Sequence, residues 1–248
     1  MTRRKFLWLL FSSPLVPLLY ANGIERRWLK KTNLEINENG TKIAHFTDLH
    51  YKGDRRLYEE VIQEIYDSQS EIAVFTGDLI DHDGKDYLDE VLEITSQIKI
   101  PVYGVPGNHD PRDHASIEKY RMAFAKTGGG WLINKVVPLK DIDLYGFYNM
   151  RLPKSLDPNR KNLLLTHYPA TCDVKTDLVF DLILVGHSHG GQVRLPFFGP
   201  IVLPKYVGNY DKGFYETKMG KLYVNVGIGT FMLPARFLCR PELTFVSL

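Results

Sequence analysis

Tyr103-Gly104-Val105-Pro106-Gly107-Asn108-His109-Asp110 reads as an apolar strand that stops at Pro-Gly and sets Asn, His and Asp in a row. Proline cannot continue a strand ladder, and glycine turns without a Cβ clash. The three polar side chains therefore fall on a loop at the strand's carboxyl end, which in an open α/β protein is where ligands bind. An amide carbonyl, an imidazole and a carboxylate together can hold a metal, a phosphate and a proton. All three are also ordinary turn residues, so the stretch gains its meaning from the rest of the chain.

Upstream, Ile43-Ala44-His45-Phe46-Thr47 is a short strand running into Asp48-Leu49-His50, and alternation puts Asp48 and His50 on one side. Leu57, Val61 and Ile65 recur at helical spacing across 55–68, and Leu88, Val91, Leu92 and Thr95 across 87–96. Between these helices Ile72-Ala73-Val74-Phe75 is a fully apolar strand ending at Thr76-Gly77-Asp78. This alternation is the rhythm of a sheet with parallel strands. Asp48, Asp78 and Asn108 each follow a strand, thirty residues apart. Parallel crossovers bring all three to one edge.

Downstream the chain is richer in strands. A helix over 115–126 and the turn Gly128-Gly129-Gly130 precede strands over 131–137, 142–147 and 162–165, the last ending at Thr166-His167. The strand over 181–185 ends at Gly186-His187-Ser188-His189, and apolar runs at 192–195, 222–226 and 243–247 complete the pattern. The polar residues at strand ends are thus Asp48, His50, Asp78, Asn108, His109, Asp110, His167, His187 and His189. A mixed imidazole and carboxylate set of this size exceeds the needs of one ion, and it suits manganese, iron or zinc better than calcium. Asp78, on the middle of the three strands, is placed to bridge two ions.

The chain has 248 residues, 44% hydrophobic and 24% charged, enough for one large domain over 41–248, with no internal repeat and no linker. Residues 1–31 carry seven basic side chains against Glu25 alone, a net +6, which leaves the remainder at −4 within a whole-chain +2. A mildly acidic body with a basic arm argues against a nucleic-acid partner and for an anionic membrane surface. Cys172 and Cys239 are too few for a disulfide framework and read as buried thiols.

The arm itself begins Thr2-Arg3-Arg4-Lys5-Phe6-Leu7, similar to a twin-arginine export signal, and continues as an apolar run to Ala21 broken by Ser12-Ser13-Pro14 and Pro17. No Ala-x-Ala cleavage site follows, and the run falls short of the roughly 18 residues of a spanning helix. An export signal and an uncleaved anchor lying in the interface, with Trp8 and Trp28 near the headgroups, both fit residues 1–31. The expected location is accordingly a membrane surface, or the far side of it by export.

In order along the chain, Asp48-Leu49-His50, Gly77-Asp78, Gly107-Asn108-His109-Asp110, His167 and Gly186-His187-Ser188-His189 resemble the signature of the calcineurin-like metallophosphoesterases, and the resemblance runs from about Lys42 to the C-terminus. It implies an α/β fold: a two-sheet β-sandwich of mixed sheets flanked by helices, with a binuclear metal site at the strand ends. One metal would take Asp48, His50 and His189, the other Asn108, His167 and His187, with Asp78 between them and manganese favoured. Two such cations, about 3.5–4 Å apart, acidify a shared water and clamp the phosphoryl oxygens in an in-line displacement. His109 would stabilise charge or protonate the leaving oxygen, with Asp110 as its acidic partner.

Gly186–Pro196, Phe197-Phe198-Gly199-Pro200 and the ending Leu233-Pro234-Ala235-Arg236 look like the YkuE/YaeI-type branch. That branch includes membrane-associated phosphodiesterases and enzymes that split the pyrophosphate of UDP-2,3-diacylglucosamine in lipid A synthesis. Three readings follow: a hydrolase of a lipid-linked nucleotide, an exported phosphodiesterase or phosphatase of broad specificity, and a non-catalytic scaffold. The complete ligand set and His109 weigh against the last. The apolar loop Leu195–Tyr206 either meets lipid or covers a sheet edge. His45, His82 and His114 read as structural or solvated, Asp81 and Asp83 as a solvated loop, and Arg112, Arg151 and Arg194 as surface residues.

Overall fold

The computed structural model describes residues 15–81, 86–149 and 152–248. Its strands are β1 (Lys30–Glu35), β2 (Lys42–Phe46), β3 (Ile72–Phe75), β4 (Val102–Gly104), β5 (Gly130–Trp131), β6 (Lys135–Leu139), β7 (Ile142–Gly146), β8 (Lys161–Leu165), β9 (Phe180–Val185), β10 (Arg194–Leu195), β11 (Gly199–Pro200), β12 (Gly213–Thr217), β13 (Gly220–Val224) and β14 (Glu242–Ser247). Its longer helices are α1 (Arg55–Asp67), α2 (Leu88–Ser96) and α3 (His114–Lys126). Two six-stranded mixed sheets form, ordered β1-β14-β2-β3-β4-β5 and β12-β13-β9-β8-β7-β6. β2 to β5 are parallel, as are β13, β9, β8 and β7.

The period-two alternation of each strand builds the layers. Ile43, Val74 and Tyr103 of the first sheet meet Leu144, Leu163, Leu165, Leu182 and Leu184 of the second in the core between the sheets. Their neighbours Ala44, Phe46, Ala73 and Phe75 face Tyr58, Val61 and Ile65 of α1, Val91 of α2 and Phe124 of α3. Each large side chain so buried contributes about 1.5–3 kcal/mol. The helices lie on the first sheet only. On the second, the outward set Leu164, Ile183, Val185 and Leu222 is covered by Phe147, by Cys172 of the single turn Pro169–Asp173, and by Tyr210 and Tyr215. Burial pushes the Cys172 thiol up to about 12, and both cysteines are free and buried.

Three expectations change. The strand expected over 131–137 is two strands in different sheets, because Asn134 takes a left-handed backbone (φ 51°) and turns the chain from β5 into β6. The run at 192–195 shortens to β10, since Gln192 also sits at positive φ (53°), and β10 pairs with β11 as a separate hairpin. The sheet also begins ahead of residue 41: β1 runs parallel to β14, with Thr32 opposite Thr244. Its sequence, Lys-Lys-Thr-Asn-Leu-Glu, is that of a polar edge strand.

Before β1, a short helical stretch from Leu15 to Arg27 is tied to the body. Arg236 N donates to Ala21 O at 3.0 Å, Cys239 N to Glu25 Oε1 at 2.6 Å, and the Arg240 guanidinium lies 3.9 Å from the centre of the Trp28 ring. Among the described residues no helix is long and apolar enough to cross a membrane. Arg3, Arg4 and Trp8 lie outside the described residues, so the export-signal expectation is not addressed by the fold.

His45 is fully buried between the sheets, its Nε2 2.9 Å from Thr76 Oγ1, and burial lowers its pKa to about 3. The unfolded chain takes up this proton near pH 6.5 and the native protein does not. Stability is therefore lost as pH falls from 6.5 towards 3, by up to about 1.4 kcal/mol per pH unit from this group. Urea midpoints for the protein and for His45→Gln measure it: the slope of stability against pH should be shallower in the variant.

Candidate metal centre

The parallel strands open their carboxyl ends on one edge. Residues 48–51 zip against 77–79 there: Asp48 N donates to Gly77 O (2.9 Å), His50 N to Asp78 O (3.1 Å) and Tyr51 N to Leu79 O (2.9 Å). The sheets meet across this edge, where His187 N donates to Asp48 Oδ2 at 2.8 Å. Asp48, His50, Asp78, His187 and His189 all take left-handed backbones, with φ between 43° and 66°. Such conformations are strained for residues with a Cβ and gather where the surroundings over-determine them. Glycines make the room: a Cβ on Gly107 would lie 2.1 Å from Asp78 Oδ1, and one on Gly186 2.2 Å from Asp48 Oδ2.

Two clusters result, one of Asp48, His50 and His189 and one of Asp78, His167 and His187, with the offered ligand atoms of each within 4.8 Å of one another. In the first, His50 Nε2 is 3.0 Å from His189 Nε2, and His189 Nε2 is 3.4 Å from Asp48 Oδ1. In the second, His167 Nε2 lies 3.2 Å from Asp78 Oδ2, 3.1 Å from His187 Nδ1 and 3.0 Å from Asn108 Oδ1. Asp78 Oδ2 is also 3.7 Å from His50 Nε2, so this carboxylate stands between the clusters. His109 and Asn108 are half-buried, on the open side. The His109 ring sits 5.2 Å from the His50 ring and 4.6 Å from the Phe231 ring.

The donor set fits divalent cations. Imidazole nitrogens aimed at one another at 3.0 and 3.1 Å leave lone pairs converging on shared points. Asp48 Oδ1, fully buried, has no hydrogen-bond partner among the described residues. Each such nitrogen pair needs a proton or a cation between its two lone pairs. Burial opposes charge on His167, yet the Asp78 and Asp48 carboxylates raise it to about 9, while burial and that neighbouring charge lower His187 to about 4. Burial and His50 likewise push His189 well down. A cation accepts every one of these lone pairs at once.

Several supporting residues emerge. Asp110 is buried with both oxygens engaged: Oδ2 accepts from Gly107 N (2.8 Å) and Asp78 N (2.9 Å), and Oδ1 from Leu79 N (2.9 Å) and Tyr120 Oη (2.7 Å). It pins the Gly107 turn to the Asp78 loop. Asp81, expected to be solvated, instead accepts from His50 Nδ1 and pairs with Lys52 Nζ at 2.7 Å. A carboxylate on the far nitrogen fixes a ligating imidazole. Asp81→Asn is therefore expected to weaken metal binding at the Asp48, His50 and His189 cluster by about 10–100-fold, as read by titration against a chelating indicator.

Arg236 is fully buried and donates to the carbonyls of Val226, Gly227, Gly229 and Cys239, closing the loop whose Gly229 N donates to Asp48 O at 2.8 Å. Phe231, against His50 and His109, likewise had no signal in the sequence. Arg194 Nη1 donates to Gly190 O and Asp211 Oδ2, both at 2.7 Å, and holds the base of the hairpin. His114 opens α3 on the surface. Two cavities flank the centre: one beside His50, lined in part by Arg26, Arg27 and Lys52, and one beside His167 that includes Arg112. His82, Asp83 and Arg151 lie outside the described residues.

Ligand clusters joined through one carboxylate at the strand edge of a two-sheet α/β sandwich equip a metal-dependent phosphoester hydrolase. The chain belongs to the calcineurin-like phosphoesterase family, whose model matches residues 41–191. It is 31% identical to the uncharacterized metallophosphoesterase YkuE of Bacillus subtilis, across 100% of this chain and 98% of that protein. Against the phosphodiesterase YaeI of Escherichia coli it is 26% identical, across 84% of this chain and 82% of the other. Among solved structures, TT1561 of Thermus thermophilus superposes on 76% of this chain and 90% of its own with a TM-score of 0.51 at 10% identity, a likeness of fold.

Proposed function

We propose that this phosphoesterase hydrolyses a phosphodiester or pyrophosphate bond of a lipid-linked nucleotide at a membrane surface, of which UDP-2,3-diacylglucosamine is the type. The observation that carries the lipid half is the β10–β11 hairpin, which starts three residues after Gly191. Phe197 and Phe198 at its tip are 105% and 87% exposed, with Leu195, Ile201 and Val202 exposed beside them. They cover no sheet edge. Contiguous exposed apolar surface, in a chain whose residues 1–31 carry a net +6, favours an anionic bilayer. The opposite reading, an exported phosphodiesterase of broad specificity, draws on Thr2-Arg3-Arg4.

Two divalent ions, manganese favoured, would supply an acidified water and clamp the phosphoryl oxygens. Asp48, His50 and His189 would hold one, Asn108, His167 and His187 the other, and Asp78 both. Asp81 orients His50, and Asp110 and Arg236 fix the backbone around the ligands. His109, outside both clusters and on the open side, is the proton donor to the departing oxygen.

Manganese-supplied hydrolysis of bis(4-nitrophenyl) phosphate and of UDP-2,3-diacylglucosamine in detergent, side by side, tests the reading. Lipid turnover yielding UMP at the higher kcat/KM is the expected result. Turnover of the chromogenic diester alone would favour the exported phosphodiesterase, and absence of both with two metals bound would leave only a scaffold.

A further inference from the structure

The cavity beside His167 has a volume of about 480 Å³, within the range of small-ligand sites. Its wall is aromatic: Phe147, Tyr148, Tyr168 and Tyr206 line it with Pro106 and Arg112. Tyr168 joins it to the metal centre, its ring centroid 5.1 Å from that of His167 and 4.6 Å from that of His187, edge-on to both. Tyr206 stands 5.5 Å from Tyr168, also edge-on. It is 67% exposed and holds a left-handed backbone, φ 68°. A bulky residue in that conformation is an outlier that persists where its surroundings impose it. Here they do: Ala170 N donates to Tyr206 O at 3.0 Å, and the preceding Lys205 O accepts from His187 Nε2 at 2.7 Å. The ring is thus presented at the mouth of the cavity by the same few atoms that orient a metal-cluster histidine.

We propose that this cavity is the subsite for a flat aromatic ring on one side of the scissile phosphate, the base of a nucleoside or an equivalent aryl group. The inference rests on the phosphoesterase reading and adds to it the chemistry of one half of the substrate. The lining decides between a ring and an acyl chain. Ring faces and edges attract another π system, and stacking on aromatic side chains tolerates any base. The phenol of Tyr168 and the side-chain amide of Asn149 supply donors and acceptors that a base edge can use and a hydrocarbon cannot. Arg112, at the surface, offers a cation to the attached phosphate.

The test is calorimetric binding to the manganese-loaded full chain of three probes that share a phosphate: adenosine 5′-monophosphate, ribose 5-phosphate and decyl phosphate. The nucleotide is expected to bind at least tenfold more tightly than either other probe. Tyr206→Ala, at an exposed position, and Tyr168→Leu are each expected to cut that ratio to below threefold, with the thermal transition checked in both. Equal affinity for the nucleotide and the sugar phosphate overturns the proposal. So does tighter binding of decyl phosphate, which would make the cavity an acyl site, or a ratio that survives both substitutions. Turnover of bis(4-nitrophenyl) phosphate by the unsubstituted chain, followed in parallel, shows whether the centre hydrolyses a phosphodiester at all, whatever the three probes bind, so each idea can fail without the other.

Discussion

Asp78→Asn is expected to leave at most one metal per chain and to lower kcat/KM by about a thousandfold or more, about 4 kcal/mol of transition-state stabilisation. Among the described residues no other carboxylate stands between the two clusters: Asp78 Oδ2 is 3.2 Å from His167 Nε2 and 3.7 Å from His50 Nε2, and Oδ1 accepts from His109 N at 2.7 Å. An amide retains the shape and one acceptor but loses the charge that offsets two cations. Metal content by elemental analysis, read beside the rate, separates this from misfolding. Two metals retained at full stoichiometry would show that Asp78 is not the shared ligand.

His109→Gln should do the reverse: leave both metals in place and reduce kcat by about 10²–10⁴-fold. The ring belongs to neither cluster and lies half-buried between Phe231 and His50, with its backbone amide anchored on Asp78. The loss should shrink as the leaving alcohol becomes more acidic, since a 4-nitrophenolate needs little protonation while an alkoxide needs it fully. A uniform loss across leaving groups would assign His109 to charge stabilisation. Loss of metal would make it a ligand.

Much of this was legible because the chemistry sits where strands end. Asp48, Asp78 and Asn108 follow apolar strands at a constant interval, and parallel pairing carried them to one edge as the pattern required. The polar edge strands β1 and β12 were not legible, since neither alternates strongly and β1 lies next to the arm. The change of sheet at Asn134 was hidden because hydrophobicity continues through Leu132 and Ile133, and only the backbone turns. Asp81 and Arg236 were missed for a shared reason. A charged residue in a loop looks solvated until the fold supplies a buried partner: His50 Nδ1 for the one, four carbonyls for the other. Asp110 was read with its neighbour His109, whereas its oxygens accept from the amides of Gly107, Asp78 and Leu79 and from the Tyr120 hydroxyl, partners that the fold gathers.

The N-terminal arm sets a limit on maturation. Glu25 is the acceptor for the buried amide of Cys239, and Arg236, three residues before it, holds the loop over Asp48. A peptidase that cut on the carboxyl side of Glu25 would strip that amide of its partner, at a cost of about 1–3 kcal/mol, and would take Glu25 away from the roof of the metal centre. Trimming anywhere before Glu25 spares this contact. A chain trimmed up to Glu25 keeps the latch between the arm and the loop over Asp48, and one trimmed past it loses that latch.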